Sequence, residues 1–215
     1  MTDTRVDKDP KSGLTYRWRP EDDPDAPSIL LFHGLTGNED VMWILESALP
    51  KGGFIAAPRV PFQLDGGSYS WTDGVEQESF SASDFESGVR QASSWIHSLL
   101  ERHGISLAST VFVGFSQGAA LSFLLAEDPD IRPAAVVALA GFLPGGELGS
   151  MEDFPVFWGH GTEDQTIPIT QAEADIERLK ELGAEVHYCQ AEVGHKVGVE
   201  CMRGLKEWLR DKLAG

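Results

Sequence analysis

The sequence predicts an α/β fold: a mainly parallel central sheet, helices on both of its faces, and no separate cap domain. Two observations carry this expectation. Short apolar runs alternate with longer amphipathic ones along most of the 215 residues, the pattern of parallel strands joined by crossover helices. The stretch Gly114-Phe115-Ser116-Gln117-Gly118 lies between an apolar run, 109–113, and a helix-like run, 117–127, which is the strand, sharp turn, helix context of an exposed nucleophile.

Taken in order, residues 14–18 alternate as a strand, the acid- and proline-rich 20–27 reads as a surface loop, and the apolar 28–32 as a buried strand. A helix is expected over 39–49, a strand over 54–58, and a long helix over 81–103 closed by Gly104. After the elbow come short buried-strand runs at 134–140 and 156–160, and a helix over 169–182 ended by Gly183. A strand over 185–191 and a last helix over 199–213 complete the chain. The whole of 1–215 reads as a single domain with 1–13 as a flexible segment. Two irregular connections, 59–79 and 141–154, are too short for a cap and are the expected walls of an open site.

With 41% hydrophobic and 24% charged residues the composition is that of an ordinary globular protein. Thirty-four acidic against 17 basic residues give a formal charge of -17. That repels nucleic acid and anionic membrane surfaces, so neither is expected as a partner, and stable membrane insertion is not expected. Adaptation to high salt is a further reading of the same charge. The polar N-terminus has no apolar signal region, which points to a cytoplasmic protein. In that setting Cys189 and Cys201 are expected to be free thiols rather than a disulfide. No metal-ligand cluster is visible. The sequence leaves the oligomeric state open, a homodimer among the alternatives.

The chemistry starts from Ser116. A tight turn brings strand and helix backbones together, so the flanking glycines avoid Cβ collisions while the hydroxyl stands at the start of a helix. Among the six histidines, His195 follows the last expected strand. His33 is the other one at a strand end near the site. Asp164 follows the 156–160 strand and precedes a helix. Placed against His195 Nδ1, its carboxylate would fix the imidazole tautomer that takes the serine proton. Glu163 is the rival acid. The chain order Ser116, Asp164, His195 is that of the elbow-type serine hydrolases. The turn His33-Gly34-Leu35-Thr36-Gly37 is placed to aim the Leu35 N–H, together with that of Gln117, at an oxyanion.

These segments, together with Ala140-Gly141-Phe142-Leu143-Pro144 and His160-Gly161 ahead of Asp164 and Pro168, resemble the phospholipase/carboxylesterase family of α/β-hydrolases, which includes the acyl-protein thioesterases. The resemblance runs over about 28–213. It implies an α/β-hydrolase fold and hydrolysis of carboxylic esters, thioesters or lysophospholipids without a cofactor. It further implies a triad of Ser116, Asp164 and His195, oxyanion donors at Leu35 and Gln117, and an apolar substrate pocket at Trp71, Phe142 and Leu143. Gln165, Lys196 and Ala119 depart from the family pattern, at the mouth of the expected site. The reading favoured from the sequence is a serine carboxylesterase with a small-molecule ester as partner. A thioesterase or lysophospholipase would use the same residues. A binding protein that keeps the fold without turnover is the alternative of a different class.

Overall fold

All five residues of Ser28–Phe32 are buried, and a strand buries five consecutive side chains only when both faces of its sheet are covered. In the computed structural model, which describes residues 4–60, 62–73 and 80–213, this segment is β3. The other strands are β1 (Arg5–Lys8), β2 (Thr15–Arg19), β4 (Ile55–Arg59), β5 (Phe62–Gln63), β6 (Tyr69–Ser70), β7 (Thr110–Phe115), β8 (Ala135–Leu139), β9 (Pro155–Gly161) and β10 (Glu185–Ala191). Among the described residues an eight-stranded sheet runs in the order β1-β2-β4-β3-β7-β8-β9-β10, and β5 and β6 form a separate ribbon. From β4 through β3 to β10 the neighbours are parallel; β1 and β2 join antiparallel at one edge.

Strand side chains alternate between faces, and this alternation sorts the core into two layers. Leu30, Phe32, Phe112, Val136 and Trp158 point to the side covered by α1 (Glu86–His103), α2 (Gln117–Ala126) and α3 (Ile169–Glu181). Ile29, Leu31, Val111, Val113, Val137 and Phe157 point to the other side. There the 3₁₀ helix Val41–Ala48 and α4 (Val199–Leu213) contribute Met42, Trp43, Leu45, Leu205, Trp208 and Leu209. The order β3-β7-β8-β9-β10 thus sets the turns after β3, β7, β9 and β10 along one end of the sheet, the carboxyl ends where open α/β sheets bind ligands. This is an α/β-hydrolase-type arrangement, as the sequence predicts.

Three expectations need correction. The N-terminal segment is not free of structure: Arg5–Lys8 pairs with β2 from Arg5 opposite Trp18 to Lys8 opposite Thr15, and residues 1–3 lie outside the described residues. The segment 41–48 winds as a 3₁₀ helix, not an α-helix, and Asp40 makes no side-chain cap at its start. Cys189 and Cys201 are joined in a disulfide with Cα atoms 5.6 Å apart, because α4 packs its first turn on β10. Disulfides persist mainly in oxidising compartments, so the expectation of free thiols, which followed from a cytoplasmic setting, does not hold.

The bond closes a loop with a sequence separation of 12, for which chain-entropy arguments give about 3 kcal/mol of stabilisation. Urea unfolding with and without a reductant should show a loss of that order. The Cys189→Ser, Cys201→Ser double variant should match the reduced protein and respond no further to reductant.

Candidate active site

Ser116 sits between β7 and α2 at φ 52 and ψ -117, a backbone region that costs a non-glycine residue roughly 1–3 kcal/mol and persists only where the surroundings enforce it. Here they do. The Ser116 N–H donates to Leu139 O on β8 at 2.9 Å, and its carbonyl accepts from Ala119 N–H at 2.9 Å. The glycines on either side permit the approach. A Cβ at Gly114 would collide with Gly118 O and Ala119 N, and one at Gly118 with Phe32 O and His33 O. The serine is recessed, with 8% of its surface exposed.

Asp164 and His195 come together from two different strand ends. The His195 Nδ1–H donates to Asp164 Oδ2 at 2.7 Å. The other carboxylate oxygen accepts the N–H groups of Thr166 at 2.8 Å and Ile167 at 2.9 Å. Burial pushes the Asp164 carboxyl up, but the Ile167 N–H, the hydrogen bond and charge of His195 and the Thr166 N–H outweigh it and hold the group below its ordinary value. It is therefore a carboxylate at neutral pH. Glu163 points into solvent, and only its backbone engages the histidine loop, donating to Val193 O at 3.1 Å. Between the two candidate acids the geometry favours Asp164.

The loops are brought this close by Gly161, where a Cβ would collide with the carbonyls of Val193 and Gly194. One residue to which the sequence reading gave no role helps to hold them. Buried His160 lies against Ile167 O at 2.9 Å through Nε2, and the same nitrogen is 3.6 Å from Asp164 Oδ2. Its position near the end of β9, four residues before Asp164, was the available signal. The imidazole of His195 rests on the Phe115 ring, with centroids 5.0 Å apart, so base and nucleophile loop are in contact.

The turn after β3 meets the elbow directly. A Cβ at Gly34 would lie 3.2 Å from Ser116 Cβ. Thr36 N–H is engaged by Tyr69 O and Gly37 N–H by Gly34 O, whereas Leu35 N–H has no backbone acceptor among the described residues. Gln117 opens α2, where the first N–H groups have no partner within the helix. Its side chain is committed elsewhere, accepting the Trp71 N–H at 2.9 Å and donating to Thr72 Oγ1 at 3.1 Å.

His33 is buried beneath this turn and donates its Nδ1–H to Gly34 O at 2.7 Å. Its Nε2 has no partner among the described residues, so a second proton there would be buried without an acceptor. Burial lowers its pKa to about 4, against the upward pull of the Gly34 carbonyl. An unfolded histidine titrates near 6.5, so the folded state binds fewer protons. The contribution of His33 is complete above the unfolded value and is lost as the pH falls from about 6.5 toward 4. Unfolding free energy should drop by roughly 2 to 3 kcal/mol between pH 7.5 and 4.5, and His33→Gln should remove that part of the slope. Equal slopes in the two proteins would contradict the assignment.

The expected pocket residues are placed differently. Trp71 is fully buried, donates its indole N–H to His33 O at 2.8 Å and stands edge-on to Phe32. It is a core residue. Phe142 stacks on Phe80 with centroids 5.7 Å apart, and Leu143 donates its N–H to Asp175; each is 4% exposed. None of the three lines the large cavity beside the site. That cavity, of about 590 Å³, lies on the opposite flank, between the 3₁₀ helix and the start of α4. Residues 61 and 74–79 of the expected wall at 59–79 lie outside the described residues. Gln165 is exposed, and Lys196 is exposed at the cavity edge.

A serine in an enforced elbow, an aspartate-bound imidazole on the adjoining loop and two N–H groups at the same sheet end are the parts an acyl-transfer site requires. Known proteins agree with the fold and the family. Acyl-protein thioesterase 1 of Cryptococcus neoformans var. neoformans serotype D is 30% identical over 172 residues, 71% of this chain and 72% of that protein. The Bacillus cereus carboxylesterase structure superposes with a TM-score of 0.83 at 19% identity, covering 93% of this chain and 94% of its own. The Mesorhizobium loti carboxylesterase does so with 0.84 at 18% identity, covering 96% and 98%. Residues 19–213 match the Phospholipase/Carboxylesterase family, and the chain belongs to it.

Proposed function

We propose that this protein is a serine carboxylesterase that hydrolyses short- to medium-chain carboxylic esters through an acyl-enzyme. The observation that carries the reading is the 2.7 Å bond from His195 Nδ1 to Asp164, made on the loop that packs against the residue preceding Ser116. Ser116 Oγ attacks the ester carbonyl carbon as His195 Nε2 takes its proton. The oxyanion accepts the N–H groups of Leu35 and Gln117. The carbon–oxygen bond to the alcohol then breaks, and His195 gives its proton to the departing oxygen. Water, deprotonated by the same nitrogen, releases the acid. No metal or cofactor enters these steps, and the partner is a small ester in solution, not a nucleic acid or a membrane. A cytoplasmic setting, a single domain and an open oligomeric state complete the proposal.

The acyl range is supported by the burial of Trp71, Phe142 and Leu143, which leaves them outside the lining of the cavity among the described residues. For p-nitrophenyl esters from two to sixteen carbons, kcat/KM should rise, level and fall, since a methylene adds roughly 0.8 kcal/mol only while it is buried. A steady rise to sixteen carbons would favour the second reading, an acyl thioesterase or lysophospholipase. That reading has its own support in the thioesterase relative, and the same residues would serve it.

A further inference from the structure

We infer that the cavity between the 3₁₀ helix Val41–Ala48 and α4 binds the leaving group of the substrate, and that it selects esters of apolar alcohols. The inference rests on the proposed esterase reading and adds the half of the substrate that the acyl series does not address. The cavity is lined by Leu35, Met42, Leu45, Phe115 and Met202 and by His195, Lys196 and Val197 of the histidine loop. It therefore runs from the oxyanion turn to the histidine loop and is lined by Phe115, the residue next to the nucleophile. Its volume, about 590 Å³, lies within the range of small-molecule sites. At its rim Ile44 is 82% exposed and Val41 48%. An apolar path thus continues from the interior to solvent for a chain longer than the cavity.

The chemistry decides which end of the ester lies there. In the tetrahedral intermediate four groups surround the former carbonyl carbon: Ser116 Oγ, the oxyanion, the acyl substituent and the departing oxygen. His195 must deliver its proton to the departing oxygen, and it later draws a proton from the water that takes the same place. The alcohol therefore leaves past the imidazole, and the acyl substituent points away from it. The cavity has His195, Lys196 and Val197 as one wall, so it stands on the alcohol's side. Its apolar lining gives an alkoxyl chain burial and offers a polyol little to bond.

The test fixes the acyl group as acetyl and varies the alcohol from ethyl to decyl, following acetate release. In the wild type kcat/KM should rise about two- to fourfold per methylene over the first several carbons and then level. Met202→Trp and Leu45→Trp, which fill the cavity from opposite walls, should each lower the octyl-to-ethyl ratio at least tenfold. Over the acyl series with a fixed alcohol, their profiles should keep the wild-type shape. A flat alcohol series in a wild type that hydrolyses ethyl acetate would overturn the inference and leave the esterase reading standing. So would a loss of acyl discrimination, in place of alcohol discrimination, in the two tryptophan variants. Absence of hydrolysis across both series would overturn the esterase reading and the inference with it.

Discussion

Ser116→Ala should abolish ester hydrolysis, lowering kcat by roughly 10⁶-fold, the scale on which removal of a triad nucleophile acts. Its fold should persist. The backbone bonds that hold the elbow, to Leu139 O and from Ala119 N–H, do not involve the side chain. A mild gain in stability would be consistent with removal of a polar group from a recessed position. Circular dichroism and urea unfolding would establish the folded state, and initial rates with a p-nitrophenyl ester the loss. His195→Ala should be nearly as inactive, and the double variant little worse than either, because nucleophile and base act as one unit. Activity within tenfold of the wild type in a folded Ser116→Ala protein would remove this serine from the mechanism.

Asp164→Asn should cost about 10⁴-fold in turnover, with a far smaller change in KM. An asparagine retains an oxygen for the Thr166 and Ile167 N–H groups, so the loop should keep its course. What is lost is the negative partner that accepts the His195 Nδ1–H and stabilises the imidazolium. An amide N–H in that place would turn the imidazole to the wrong tautomer. Glu163→Gln supplies the contrast, since that side chain is exposed and the backbone alone meets the histidine loop; its rates should stay within about twofold. A damaging Glu163→Gln beside an active Asp164→Asn would reverse the assignment of the acid.

What the sequence made legible depended on how local its cause was. The strands 28–32 and 185–191 and the helix 199–213 appear with the expected bounds, since a continuous apolar or periodic run fixes each of them. The elbow was legible for the same reason: two glycines, a serine and the change of period lie within a few residues. β1 was not, because its residues Arg5, Val6, Asp7 and Lys8 are largely exposed and it is held by pairing with β2, not by burial. Trp71 was expected in a pocket wall only through the family resemblance. Its burial depends on partners far along the chain, with Gly88 leaving room for its carbonyl and His33 O taking its indole N–H. The cavity beside His195 joins Met42 to Met202, and the disulfide joins β10 to α4. Neither juxtaposition has a local pattern that announces it.

The central claim, that Ser116 is activated by the aspartate-bound His195 and becomes acylated, is tested most directly by mass spectrometry of protein treated with a fluorophosphonate. The wild type should gain one adduct per chain, and peptide mapping should place it on Ser116. Ser116→Ala should gain none, and folded His195→Ala should label at least a hundredfold more slowly. An adduct on another residue, or undiminished labelling of folded Ser116→Ala, would contradict the account.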